Sequence, residues 1–188
     1  MDTNQESGFT NPVIVPESIP DYGQVSLRPM AAAFRRYVLV STVLYYLPLL
    51  IGAVIFLFAP FGSARLGPGV VGAGAGLVAL ASLTGLYRWL DAGHRGWALR
   101  EHDLIARSGV LWRAVTALPI ARIQHVETTH GPLERAHGLA RLKLYTAGGM
   151  TADLILIGLA RDNADQLREY LIEQIRKRDT QADRYANE

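Results

Sequence analysis

Three histidines, His125, His130 and His137, lie close together near two glutamates, Glu127 and Glu134. These are the residue types that could bind a metal or move protons. Their spacing matches no helical metal pair, which needs two histidines one turn apart with a glutamate between them. Solvated surface histidines are the simpler reading. Nothing in the sequence places the two carboxylates in one pocket, as acid–base catalysis would need. The chain has no cysteine, which removes thiol chemistry and thiolate ligation. The glycines from Gly72 to Gly76 are not a phosphate loop, because they sit in an apolar run with no following lysine. The expectation is a protein without a catalytic constellation, a metal or a cofactor.

Basic residues are the remaining candidates. Arg88, Arg95, Arg113, Arg122, Arg141 and Lys143 could meet acidic headgroups beside a membrane. The alternative is a dispersed, solvated surface with counter-charges. No nucleic-acid motif accompanies them, so nucleic acid is not expected as a partner.

The elements that must position these residues come from the distribution of charge. Overall the chain is 49% hydrophobic and 19% charged with net charge +2, values typical of a soluble domain. The charges are segregated, however. Tyr37 to Ala64 carries none, and about 20 apolar residues suffice to cross a bilayer. A first crossing is expected at 37–59, with Pro48 tolerated inside it and a turn at Pro60, Gly62 and Ser63. A second charge-free run, 66–87, is rich in glycine and alanine. In lipid, small residues let helices approach closely. Gly72 and Gly76, with Ala75 and Ala79 on a neighbouring stripe, form the expected packing face. Its first candidate partner is the preceding crossing; a different membrane protein is the alternative. Region 31–90 is thus expected to be a transmembrane hairpin. Arg28, Arg35 and Arg36 precede the first span, Arg88, Arg95 and Arg100 follow the second, and only Arg65 lies between. The positive-inside rule then places both termini in the cytoplasm of a multi-pass protein of a bacterial cytoplasmic membrane.

Residues 1–30 are polar, aperiodic and expected to be mostly irregular, although Val13–Val15 could add to a sheet edge. From Trp97 short strands are expected near Leu104–Ala106, Val115–Leu118 and Ile123–Thr129. Leu142, Leu144 and Thr146 alternate with Arg141, Lys143 and Tyr145, as in a half-buried strand. Gly148-Gly149 marks a hairpin turn. Ala152–Ile157 is apolar on both faces and is expected at the centre of a sheet. A closing helix has Asp162 as its expected N-cap and a stripe of Ala164, Leu167, Leu171 and Ile175. The domain is bounded at 97–178, with 179–188 a fraying polar tail. Strands followed by one amphipathic helix call for a bent sheet or open barrel capped by that helix.

The run Gly109-Val-Leu-Trp112, then Leu118-Pro119-Ile120, Arg122-Ile123-Gln124-His125-Val126, Gly131-Pro132-Leu133-Glu134-Arg135, Gly138-Leu139 and Thr146-Ala147-Gly148-Gly149 resembles the bacterial pleckstrin-homology-like (PH-like) domain of the YdbS-like, membrane-flanked type. The resemblance covers roughly Trp97 to Gln174. It implies a seven-stranded bent antiparallel sandwich closed by a C-terminal helix, in proteins often found beside a larger membrane protein carrying several such domains. It does not carry over the phosphoinositide cradle of eukaryotic PH domains, because the equivalent hairpin reads Arg100-Glu101-His102-Asp103, with two carboxylates. The functional expectation is a non-enzymatic membrane scaffold subunit that presents this domain and assembles with another membrane protein. The alternative is anionic headgroup binding by the domain. A membrane enzyme or transporter is disfavoured by two spans without an intramembrane charge.

Overall fold

The computed structural model describes residues 25–58, 68–148 and 151–186. Val13–Val15 and the turn at Pro60, Gly62 and Ser63 lie outside these residues. Two long helices come first: α1, Ala32–Phe58, continuous through Pro48, and α2, Pro68–His94. Both extend beyond the charge-free runs at their domain ends, α1 by the residues before Tyr37 and α2 by those after Tyr87. One described helix is long and apolar enough to cross a membrane: Ala32–Ile55, 24 residues with mean hydropathy 2.2.

The helices run side by side in opposite directions. Thr84 Oγ1 donates to Tyr46 Oη (3.2 Å), and Gly85 lies against the Thr42 methyl group. Gly93 leaves room for the Arg35 guanidinium, which stacks over the Trp89 ring at 4.9 Å.

The remaining described residues form two antiparallel sheets and two further α-helices. The first has the order β1-β2-β3-β4, from Arg28–Pro29, Gly96–Leu99, Asp103–Ser108 and Ala114–Pro119. The second has the order β5-β6-β7, from Ile123–Thr129, Leu139–Thr146 and Leu154–Ala160. A short helix α3, Pro132–Ala136, joins β5 to β6, and α4, Arg161–Ala186, closes the domain. Leu104, Ile123, Leu142, Leu144 and Leu156 fill the space between the sheets, and Ala164, Leu167 and Leu171 of α4 seal one end. The predicted stripe is thus the buried face of α4.

Four expectations change. Arg28–Pro29, assigned to an irregular leader, is a strand. It pairs with Gly96–Trp97 and supplies the seventh strand, at a sheet edge where proline's missing N–H costs little. Ala152–Ile157 was expected to be central, yet β7 is an edge strand and β6 is central. The apolar outer face of β7 is explained by α1. Phe34 and Val38 pack there with Leu139, and Ile157 is partly buried against them. The tail expected to fray after Asp179 is helical to Ala186, continuing the i,i+4 pattern of Glu173–Lys177 and Thr180–Arg176. Asp162 lies inside the first turn, where its charge favours the helix dipole, because α4 begins at Arg161 directly after β7.

The join between α1 and the domain depends on Gly158. The β6–β7 register passes from Ala140↔Leu159 to Arg141↔Ile157, leaving Gly158 as a bulge with φ +87°. Left-handed backbone favours glycine. A Cβ there would also overlap the Phe34 ring. The bulged carbonyl accepts the Ala31 N–H at 3.0 Å. The residues entering α1 therefore pair with one sheet through Arg28–Pro29 and bond to the other through Ala31.

Candidate functional site

A groove of about 430 Å³ lies where the two helix bases meet the domain. Tyr37 and Val38 of α1 form one side, and Tyr87, Arg88 and Asp91 of α2 another. Trp112, at the tip of the β3–β4 hairpin, and Arg141 of β6 complete the wall. Gly109, with φ +93°, makes the hairpin turn possible, since a Cβ there would overlap the Trp112 carbonyl.

Three of the six basic candidates meet in this groove: Arg88, Arg95 and Arg141. Arg95 Nε donates to Asp91 Oδ2 at 2.7 Å. Arg141 is ion-paired to the buried carboxylate of Glu134 and donates to Tyr37 Oη at 3.3 Å. The Glu134 hydrogen bond, followed by that of Tyr37, holds the guanidinium's pKa above its ordinary value against the opposing effect of burial. Arg88 donates to Thr42 Oγ1 (3.2 Å) and Ser41 Oγ (3.3 Å) and has no carboxylate in ion-pair range among the described residues.

The other basic candidates lie elsewhere. Arg113 is exposed beside the hairpin tip. Arg122 borders a separate cavity with Gln124 and Arg178. Lys143 is committed to Glu127 at 3.4 Å on the outer face of β5–β6. Glu127 also accepts from Tyr145 Oη at 2.8 Å, and that bond, with Lys143, holds its pKa low. Glu134 is tied instead to Arg141 and to the Gly131 N–H at 2.8 Å, so the two glutamates share no site. The His125 ring lies 5.6 Å from that of Tyr145, tilted by 47°, and His137 Nδ1 sits 2.9 Å from the Leu133 carbonyl oxygen. Among the described residues no three His, Asp or Glu side chains group as metal ligands. In the Arg100–Asp103 turn the two named side chains pair with each other, and Asp103 is held below the usual carboxylate range by that bond.

At the small-residue face the described residues show no partner for Gly72 or Gly76. Gly72, Ala75, Gly76 and Ala79 are exposed, and a Cβ at Gly72 or Gly76 would meet no described atom within 4 Å. Helix α1 is met instead around Thr84 and Gly85. Four-residue spacing marks a close-packing face but does not name its partner.

An apolar helix built into a two-sheet domain closed by a C-terminal helix defines a membrane-associated PH-like protein. The chain belongs to the bacterial PH domain family, whose model matches residues 36–175, which take in most of α1, all of α2 and β2–β7, and the first part of α4. It is similar to the UPF0699 transmembrane protein YdbS of Bacillus subtilis (strain 168), at 32% identity over 78 residues. That alignment covers 40% of this chain and 47% of the relative, about half its length. No solved structure gives a significant match.

Proposed function

We propose that the protein is a non-enzymatic membrane interaction module. In this reading α1 and α2 cross the bilayer as a hairpin with both termini in the cytoplasm. The PH-like domain is held against the inner leaflet as one subunit of an assembly with another membrane protein. The observation that carries the reading is the join at Gly158. Phe34 packed on the bulge and the Ala31–Gly158 hydrogen bond fix the domain's orientation on the anchor. A module that recruits partners gains from such fixing, because less orientational freedom remains to be lost on assembly.

Two further features support it. Val78, Leu80, Leu83 and Leu86 of α2 are exposed, as suits a helix surrounded by lipid. The open face at Gly72 and Gly76 can accept a second membrane helix. The resemblance to membrane-flanked PH-like proteins makes a larger membrane protein with several such domains the natural partner.

The test is purification of the full chain in mild detergent, with mass determination of what accompanies it. A stoichiometric membrane partner is expected, and Gly72→Leu or Gly76→Leu should release it while the domain stays folded. A lone chain, or complexes of unchanged size in both variants, would overturn the assembly reading. A second reading, headgroup binding, is favoured by the groove at the helix bases.

A further inference from the structure

The groove at the helix bases combines three properties that bear on its ligand. The first is depth. Arg88 bonds to Ser41 and Thr42, which lie about one turn further along α1 than Tyr37. At ~1.5 Å per residue, Thr42 is about 7–8 Å beyond Tyr37. Tyr37 is held against the domain by Arg141, so on the hairpin reading the Arg88 guanidinium, one turn further toward the membrane, lies where the domain meets the lipid headgroups. This step rests on the hairpin reading above.

The second property is charge. The groove gathers Arg88, Arg95 and Arg141. Asp91 and Glu134 neutralise the last two. Arg88 is bonded only to hydroxyls among the described residues, which satisfy donors but supply no counter-charge. Arg88 is exposed, so its charge is open to an anionic ligand, and a planar guanidinium suits the oxygens of a phosphate.

The third is the wall. Leu111 and Trp112 at the β3–β4 tip are 71% and 82% exposed. Two adjacent large apolar residues at a hairpin tip are costly in water. They are favourable at the headgroup boundary, where tryptophan's ring and N–H are both accommodated. Trp112 borders the same groove as Arg88, so the tip and the cation face one ligand.

We propose that this groove is a specific site for the phosphate of an anionic membrane phospholipid, with Arg88 as its principal ligand and Trp112 seated in the interface beside it. The shared chemistry is an alkyl phosphate; the source is the bilayer, because on the hairpin reading the groove at the helix bases adjoins the headgroup layer.

The experiment uses the full-length chain in nanodiscs with equal parts phosphatidylglycerol and phosphatidylcholine. Lipid retained through mild-detergent extraction is weighed by native mass spectrometry. The wild type should retain phosphatidylglycerol in several-fold preference. Arg88→Gln should abolish the preference, and Trp112→Ser should weaken it. Arg122→Gln, the same charge change at a distant cavity, should leave it intact. Arg88→Lys, which keeps the charge but not the planar fork, should retain part of the preference and guards against a misfolded glutamine variant. Equal retention of both lipids by the wild type, or an unchanged preference in Arg88→Gln, would overturn the proposal. Displacement of the lipid by millimolar glycerol phosphate would assign the site to soluble phosphate esters and likewise refute the lipid source. These readouts need no protein partner, so they stand apart from the assembly test.

Discussion

Replacing Gly158 with alanine strikes the contact that joins the membrane anchor to the domain. Two costs follow. A side chain at φ +87° is strained by about 1–2 kcal/mol. The added Cβ overlaps the buried Phe34 ring, and overpacking of that kind costs about 1–3 kcal/mol. Together they predict a loss of about 2–5 kcal/mol for Gly158→Ala. Phe34→Ala alone should cost about 3–5 kcal/mol, since the ring is 4% exposed. In the double variant the overlap is gone and only the backbone strain remains. The pair should therefore cost about 1–3 kcal/mol less than the sum of the single changes. The assay is unfolding of the full-length protein in detergent, followed by fluorescence of Trp97, which is buried in the domain core. A neutral Gly158→Ala, or strict additivity, would refute the argument that the bulge exists to seat Phe34.

Other outcomes follow from the domain itself. Leu171, fully buried under the sheets, should cost about 2–5 kcal/mol when cut to alanine, read by the same unfolding assay. Asp153 accepts hydrogen bonds from the Thr146 N–H (2.7 Å) and Oγ1 (2.9 Å), and the N–H bond is the larger cause of its lowered pKa. A carboxylate whose folded pKa lies below its unfolded value contributes stability above the unfolded pKa, near 4 by the usual values. That contribution is lost as pH falls through the folded pKa. Asp153→Asn should thus be less stable than the wild type at neutral pH and lose less on acidification. Parallel melting curves of the two proteins from about pH 6 to about pH 2 would contradict this.

Much of the architecture can be read from periodicity. Ile123–Thr129 is a strand over the range expected, and the stripe on α4 is buried as the three- and four-residue spacing requires. Two of the failures, at β1 and β7, share a cause: each depends on a contact between segments distant in sequence. β7 is apolar on both faces because α1 covers one of them, which is indistinguishable from a central strand by pattern alone. Arg28–Pro29 is too short and polar to show a period. The lone glycine in the β7 run was a usable hint of a bulge, though it could not name Phe34 as the occupant. The groove was the least visible feature. Arg88, Arg95 and Arg141 were candidates individually, but the first lies near the end of α2, the second just after it, and the third in β6, across most of the domain. Nothing in their spacing distinguishes them from Arg122 or Lys143, which the fold sends elsewhere.

The central claim is a hairpin anchor with the domain on the cytoplasmic side, and the absence of cysteine makes it directly testable. Single cysteines introduced as Ser63→Cys, between the helices, and Glu101→Cys, in the β2–β3 turn, can be probed in whole cells with a membrane-impermeant maleimide. The account predicts labelling at 63 in intact cells and at 101 only after the membrane is opened. Labelling of both positions from the same side would contradict the hairpin.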